Sequence, residues 1–86
     1  MRFAEHTRVR QEKFGAVVFE TLKEKVFVTN EIGAKILRLL EQHQTPEEIT
    51  TQLVSEYDDS PDLIKKDVQE FITDLINQSL LKKDDR

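Results

Sequence analysis

Lys25-Val26-Phe27-Val28-Thr29-Asn30-Glu31-Ile32-Gly33-Ala34-Lys35-Ile36-Leu37-Arg38-Leu39-Leu40 changes its hydrophobic pattern in the middle, and that change decides the fold. From Lys25 to Thr29 the residues are β-branched and aromatic with no proline, which predicts a strand. From Ile32 onward, Ile32, Ile36, Leu39 and Leu40 recur at the spacing of one helical face, and Asn30 stands where an N-cap belongs. A helix from about Glu31 to Gln42 is expected. Upstream, Ala16-Val17-Val18-Phe19-Glu20 reads as a second strand, joined to Lys25–Thr29 by a polar connection of hairpin length, Thr21-Leu22-Lys23-Glu24. Arg8-Val9-Arg10-Gln11-Glu12 alternates more weakly and predicts another strand before it, with Gly15 marking a turn or bulge. Three antiparallel strands are expected.

Downstream the signals are helical. Thr45-Pro46-Glu47-Glu48 is a capping box with proline at the first helical position, and Ile49, Leu53, Val54 and Tyr57 form the stripe behind it, ending near Asp58-Asp59. Ser60-Pro61-Asp62 repeats the start signal, and Ile64, Val68, Phe71, Ile72, Leu75 and Ile76 carry a longer helix to about Gln78. Leu80 and Leu81 add one more buried contact, and the charged tail from Lys82 to Arg86 is expected to fray. Three strands followed by three helices make an α+β domain. It is expected to be a single domain over residues 1–86, with its core at about 8–81.

The composition narrows the function. With 86 residues, a formal charge of -4 and 37% hydrophobic residues, the chain has material for one small core and little room for an elaborate active site. It has no cysteine, and its two distant histidines, His6 and His43, cannot furnish the three or four ligands of a zinc site. The two glycines lie far apart and no phosphate-cradling motif is present, so neither metal nor cofactor is expected. The longest apolar run, Ala16 to Phe19, is far short of the roughly 20 residues that span a bilayer. Met1 to Thr7 does not resemble a secretion signal, and the chain reads as soluble and cytoplasmic with no membrane partner. Residues 1–45 carry a net +2 and residues 46–86 a net -6, so the two halves suit partners of different sign.

Three kinds of site can be weighed. Asp58 with Asp59, or Asp67, Glu70 and Asp74 at helical spacing, are the only carboxylate groupings that suggest a small hydrolase. A solvent-facing acidic stripe beside Lys65 and Lys66 is the simpler reading, and it keeps a possible docking role. The second and third helices could imitate a helix-turn-helix with a β wing. The would-be recognition helix, Pro61 to Glu70, sets its two lysines among Asp62, Asp67 and Glu70, which opposes phosphate binding and disfavours nucleic acid. The third site is an open sheet edge, whose unpaired N–H and C=O groups accept an added strand, or equally a second copy of the chain. Gly33, in the first turn of a helix, points to close packing against the hairpin. Strand alternation sets Phe27 opposite Val26 and Val28: with the valines toward the helices, Phe27 is either an exposed anchor or is buried against the N-terminal segment.

Three blocks together carry a family likeness: Lys25 to Leu40 as quoted; Thr45-Pro46-Glu47-Glu48-Ile49 with Leu53 and Tyr57; and Asp67-Val68-Gln69-Glu70-Phe71-Ile72-Thr73-Asp74-Leu75 ending in Leu80-Leu81. Over about residues 8–81 the chain resembles the PqqD family, the peptide chaperones of pyrroloquinoline quinone biosynthesis and the related RiPP recognition elements, which bind leaders of ribosomally made precursor peptides. Departures are Thr29 where the family commonly has Leu, Gln42-His43-Gln44 in place of an Asp-Gly-like turn, and Ser79 in place of Gly. The resemblance implies a winged-helix-like domain that takes the leader as an extra strand along Lys25, Val26, Phe27, Val28 and Thr29. It implies selectivity from Lys66, Asp67, Glu70, Phe71 and Asp74 on the third helix, the three acids meeting Lys or Arg of the leader. It further implies a non-catalytic adaptor that hands the peptide to a separate radical SAM enzyme; the exposed strand edge leaves the chain a monomer or a strand-mediated dimer. A winged-helix DNA-binding protein is the alternative.

Overall fold

A computed structural model of the chain describes residues 1–83. The elements are β1 (Arg2–Phe3), β2 (Thr7–Glu12), β3 (Gly15–Glu20), β4 (Lys25–Thr29), α1 (Glu31–Glu41), α2 (Pro46–Glu56), α3 (Pro61–Asn77) and β5 (Leu81–Lys82). Strands β2, β3 and β4 form an antiparallel sheet in sequence order, and three helices follow, as the sequence pattern predicts.

Register sorts the sheet into two faces. Val9, Val18 and Phe27 lie in one cross-strand row, and Gln11, Ala16 and Thr29 in another, on the face the helices cover. Arg8, Phe19 and Val26, then Arg10, Val17 and Val28, occupy the opposite face. Ala16 and Val18 from the sheet join Ile36, Leu37, Ile49, Leu53, Val68, Leu75 and Leu80 in one core. Each Leu or Ile fully removed from water there contributes about 1.5–3 kcal/mol. Gln11 donates from Nε2 to the Ala34 carbonyl at 3.2 Å, tying β2 to α1.

The helix ends follow their local chemistry. Asn30 Oδ1 accepts from the Gly33 N–H at 3.0 Å, and Thr45 with Glu48 forms the reciprocal capping box at 3.1 and 2.8 Å. Ser60 occupies the N-cap of α3 but makes no side-chain capping bond, so Pro61 sets that start by backbone geometry. At the C-termini of α1 and α3 the chain closes in Schellman motifs: Gln44 N–H donates to Leu39 C=O and His43 N–H to Leu40 C=O, while Leu80 N–H donates to Leu75 C=O and Ser79 N–H to Ile76 C=O. His43 and Ser79 are the left-handed residues of those motifs, with φ of 65° and 64°. Both fall where glycine is the unstrained residue.

One pairing was not anticipated. Arg2 and Phe3 run antiparallel to Leu81 and Lys82, and the Ala4 N–H donates to the Leu80 carbonyl at 2.9 Å. Two-residue strands carry no periodicity, so only the tertiary structure brings the ends together. Lys82, assigned to a fraying tail, opposes Arg2 in this pair, whereas residues 84–86 of that tail lie outside the described residues.

Candidate functional site

The sheet has two edges, β2 and β4, and β4 runs beside α3. Two side-chain contacts bridge the gap between them. Phe27 meets Phe71 edge to face with centroids 5.8 Å apart, and Lys25 Nζ donates to the Gln78 carbonyl at 3.0 Å. The expectation for β4 is therefore reversed: Phe27 points to the helices, half-buried with its ring against Phe71 of α3. Val26 and Val28 face outward, 59% and 61% exposed. The reversal follows from register, because Phe27 sits opposite Val18, which is fully buried.

Thr29 ends β4, and both glycines of the chain close on it. A Cβ on Gly15 would lie 2.0 Å from the Thr29 carbonyl oxygen. One on Gly33 would lie 1.8 Å from Thr29 Oγ1 and 2.9 Å from the Phe71 ring. The packing reading of Gly33 holds, with Phe71 of α3 as an additional neighbour. These approaches pin the end of β4 between β3, α1 and α3.

On α3, Lys66, Glu70 and Asp74 are exposed and line a shallow hollow with Gln69 and Thr73. Asp67 instead borders a crevice whose walls include Ile32, Ile36, Tyr57, Ile64 and Val68. The structure thus divides the acidic stripe: Asp67 sits beside apolar surface, and the other two lie on the open helix flank. Two apolar residues missed as site candidates also stand there, Ile32 at 39% exposure and Leu63 at 49%. Leu63 precedes Asp67 by four residues and lies out of phase with the buried set Ile64, Val68, Ile72 and Leu75. That phase error was the available signal for it.

Lys65 and Lys66 do not form one cationic patch. Lys65 borders a hollow with Pro46, Glu47, Thr50, Thr51 and Gln69 against α2, whereas Lys66 sits with Glu70 and Asp74. Among the described residues the shifted titrations lie elsewhere: Lys35 is held above its ordinary range chiefly by its hydrogen bond to Glu56, and Glu56 is lowered by that bond and by Gln52. The Lys35 ammonium also lies 5.7 Å from the Tyr57 ring centre, so this pair ties α1 to α2. Among the described residues no cluster of His, Cys, Asp or Glu could hold a metal ion, and no helix is long and apolar enough to cross a membrane.

Sheet, helices and an apolar strand edge beside an acidic helix define a small α+β domain. Residues 15–81 match the family model of coenzyme PQQ synthesis protein D, and the chain belongs to that family, PqqD. No curated protein matches it. Among solved structures, TbiB1 in complex with the TbiA(beta) leader peptide is similar over 100% of both chains, with a TM-score of 0.90 at 23% identity. Lasso peptide synthetase B1 complexed with the leader peptide is similar over 95% of this chain and 96% of that one, with a TM-score of 0.87 at 21% identity. At these identities the likeness is one of fold.

Proposed function

We propose that this domain captures the leader of a ribosomally made precursor peptide as an added strand on β4 and presents it to a separate modifying enzyme. The observation that carries the reading is the β4 edge itself, whose apolar residues border the sheet and whose neighbour, α3, is reached only through side chains. Membership in the PqqD family and a fold shared with two proteins solved with leader peptides support it.

The backbone of Lys25 to Thr29 supplies hydrogen bonds that ignore sequence, and side chains on α3 supply the choice. A leader residue entering between β4 and α3 meets Phe27 and Phe71, so an apolar side chain suits it. Asp67, Glu70 and Asp74, with Lys66 among them, favour Lys or Arg nearby. The domain acts without catalysis in a soluble, cytoplasmic setting, and by family likeness its enzyme is a radical SAM protein.

Titrating the isotope-labelled domain with leader peptides from its own gene cluster tests the reading. Amide shifts are expected at Lys25 to Thr29 and along Asp67 to Asp74, and silence in both segments sinks the proposal. Replacing Asp67→Asn with Asp74→Asn should weaken a leader containing Lys or Arg by about 3- to 10-fold, since exposed ion pairs contribute at most about 1 kcal/mol each.

A further inference from the structure

The outward rows of the sheet show what a flanking strand does to a side chain. Arg8, Phe19 and Val26 stand in one row and Arg10, Val17 and Val28 in the next. Val17, on the central strand between Arg10 and Val28, is only 8% exposed although it faces away from the helices. Phe19, between Arg8 and Val26, is half-buried, with the Arg10 guanidinium 5.1 Å from its ring centre. Val26 and Val28 have a neighbouring strand on one side only, and they are 59% and 61% exposed. Val17 and Val28 are the same residue type in adjacent places of one row, so position in the sheet accounts for the difference between them.

A peptide that joins β4 turns it from an edge strand into a central one. Its side chains alternate whether it runs parallel or antiparallel: one set points toward α3, and the other takes the next places in the rows of Val26 and Val28. That outward set comes into contact with the two valines. Cross-strand neighbours stabilise a sheet most when both are β-branched or aromatic. A serine or asparagine in the same place leaves the valine methyl groups against water.

We infer that Val26 and Val28 are specificity-determining residues for the leader: they select β-branched or aromatic side chains on its outward face, so the recognised segment is apolar on both faces. This rests on the leader-capture reading. It adds a second set of leader positions, separate from those that meet Phe27, Phe71 and the acids of α3. Strand geometry chooses the occupant, since a chain hydrogen-bonded to β4 sets its side chains in both rows at the spacing of the valines. A second copy pairing through its own β4 would bring one α3 beside the other, each with four acids against two lysines, whereas an extended peptide brings no such helix.

The test uses the full chain and the leader peptide from its own gene cluster, with affinity measured by calorimetry and the paired leader residues located by amide exchange. Serine replaces each paired leader residue in turn. At the two alternating positions beside Val26 and Val28 the expected loss is about threefold each and about tenfold together. Val26→Thr with Val28→Thr keeps the branching of both side chains and exchanges a methyl group for a hydroxyl. It should weaken the parent leader about fivefold and the doubly serine-substituted leader less than about twofold, a coupling that a change in strand propensity alone does not give. Equal losses for both leaders overturn the inference and leave capture standing, as does a parent leader with charged or amide side chains at those two positions. A domain that is dimeric without leader and dissociates in the threonine variant also overturns it, with a second copy as the occupant. A leader that leaves the amides of Lys25 to Thr29 unshifted sinks the capture reading, and this inference with it.

Discussion

Strands β2 and β4 both border the sheet, yet β2 carries Arg8, Arg10 and Glu12 on its outer face whereas β4 carries Val26 and Val28. Charges along an edge strand discourage a foreign strand from pairing, and an apolar edge has no such protection. Their inner residues differ too. Gln11 fastens β2 to α1 through the Ala34 carbonyl, while Phe27 of β4 reaches across a gap to Phe71. The two strands contribute to the same sheet, but only β4 presents an outward row free of charge. The lesson is that an open edge has to be held in place as well as left uncovered, and both glycines of the chain are used at the end of β4.

The largest effect expected from breaking this arrangement is at those glycines. Gly15→Ala and Gly33→Ala each force an atom into Thr29, and each should cost about 3 kcal/mol or more in urea denaturation, with Gly15→Ala the worse because it meets backbone. A loss below about 1 kcal/mol for either would show that the end of β4 is not held there.

Exchanging the character of the edges comes next. Val26→Lys with Val28→Lys should weaken leader binding about tenfold, equivalent to about 1.4 kcal/mol, because the edge is then guarded as β2 is. Arg8→Val with Arg10→Val should make β2 an acceptor and produce concentration-dependent self-association in light scattering. If neither exchange has an effect, edge composition is not what separates the two strands.

Stabilising the molecule away from both edges sharpens the comparison. His43→Gly and Ser79→Gly relieve left-handed backbone at two helix ends and should each raise stability by about 0.5–1 kcal/mol in thermal melts, with leader affinity unchanged. The smallest effect concerns pH. The lowered Glu56 carboxyl contributes stability at neutral pH that is lost as pH falls through its folded-state value, and the raised Lys35 ammonium contributes stability that is lost as pH rises through its own. Melts of Glu56→Gln and the parent protein should differ slightly at pH 7 and converge in acid, below the folded-state value of the carboxyl.

Much of the fold was legible because its signals are local. The switch from strand to helix at Asn30, the Thr45 capping box and the stripe from Ile64 to Leu75 are each decided within a few residues. The resemblance to PqqD proteins likewise came from the order and spacing of short blocks, and residues 15–81 match that family. Less was legible where the answer depended on a partner distant in the chain. The facing of Phe27 was reversed because alternation establishes that it opposes the valines without saying which side the helices take; Val18 across the ladder decides that. Leu63 escaped notice beside a strong buried stripe, and the β1–β5 pair escaped because two residues have no period.

By itself the sequence determined the elements, their caps and their order, since each rests on dihedral preference, hydrogen-bond satisfaction and hydrophobic period over distances the local chain can span. Only the tertiary structure decided that β4 is the edge beside α3, which face of β4 meets it, and that Gly15 and Gly33, 18 positions apart in the sequence, press on the same Thr29. Those are properties of surfaces brought together by packing, where a register shift of one residue would exchange the two faces of the sheet.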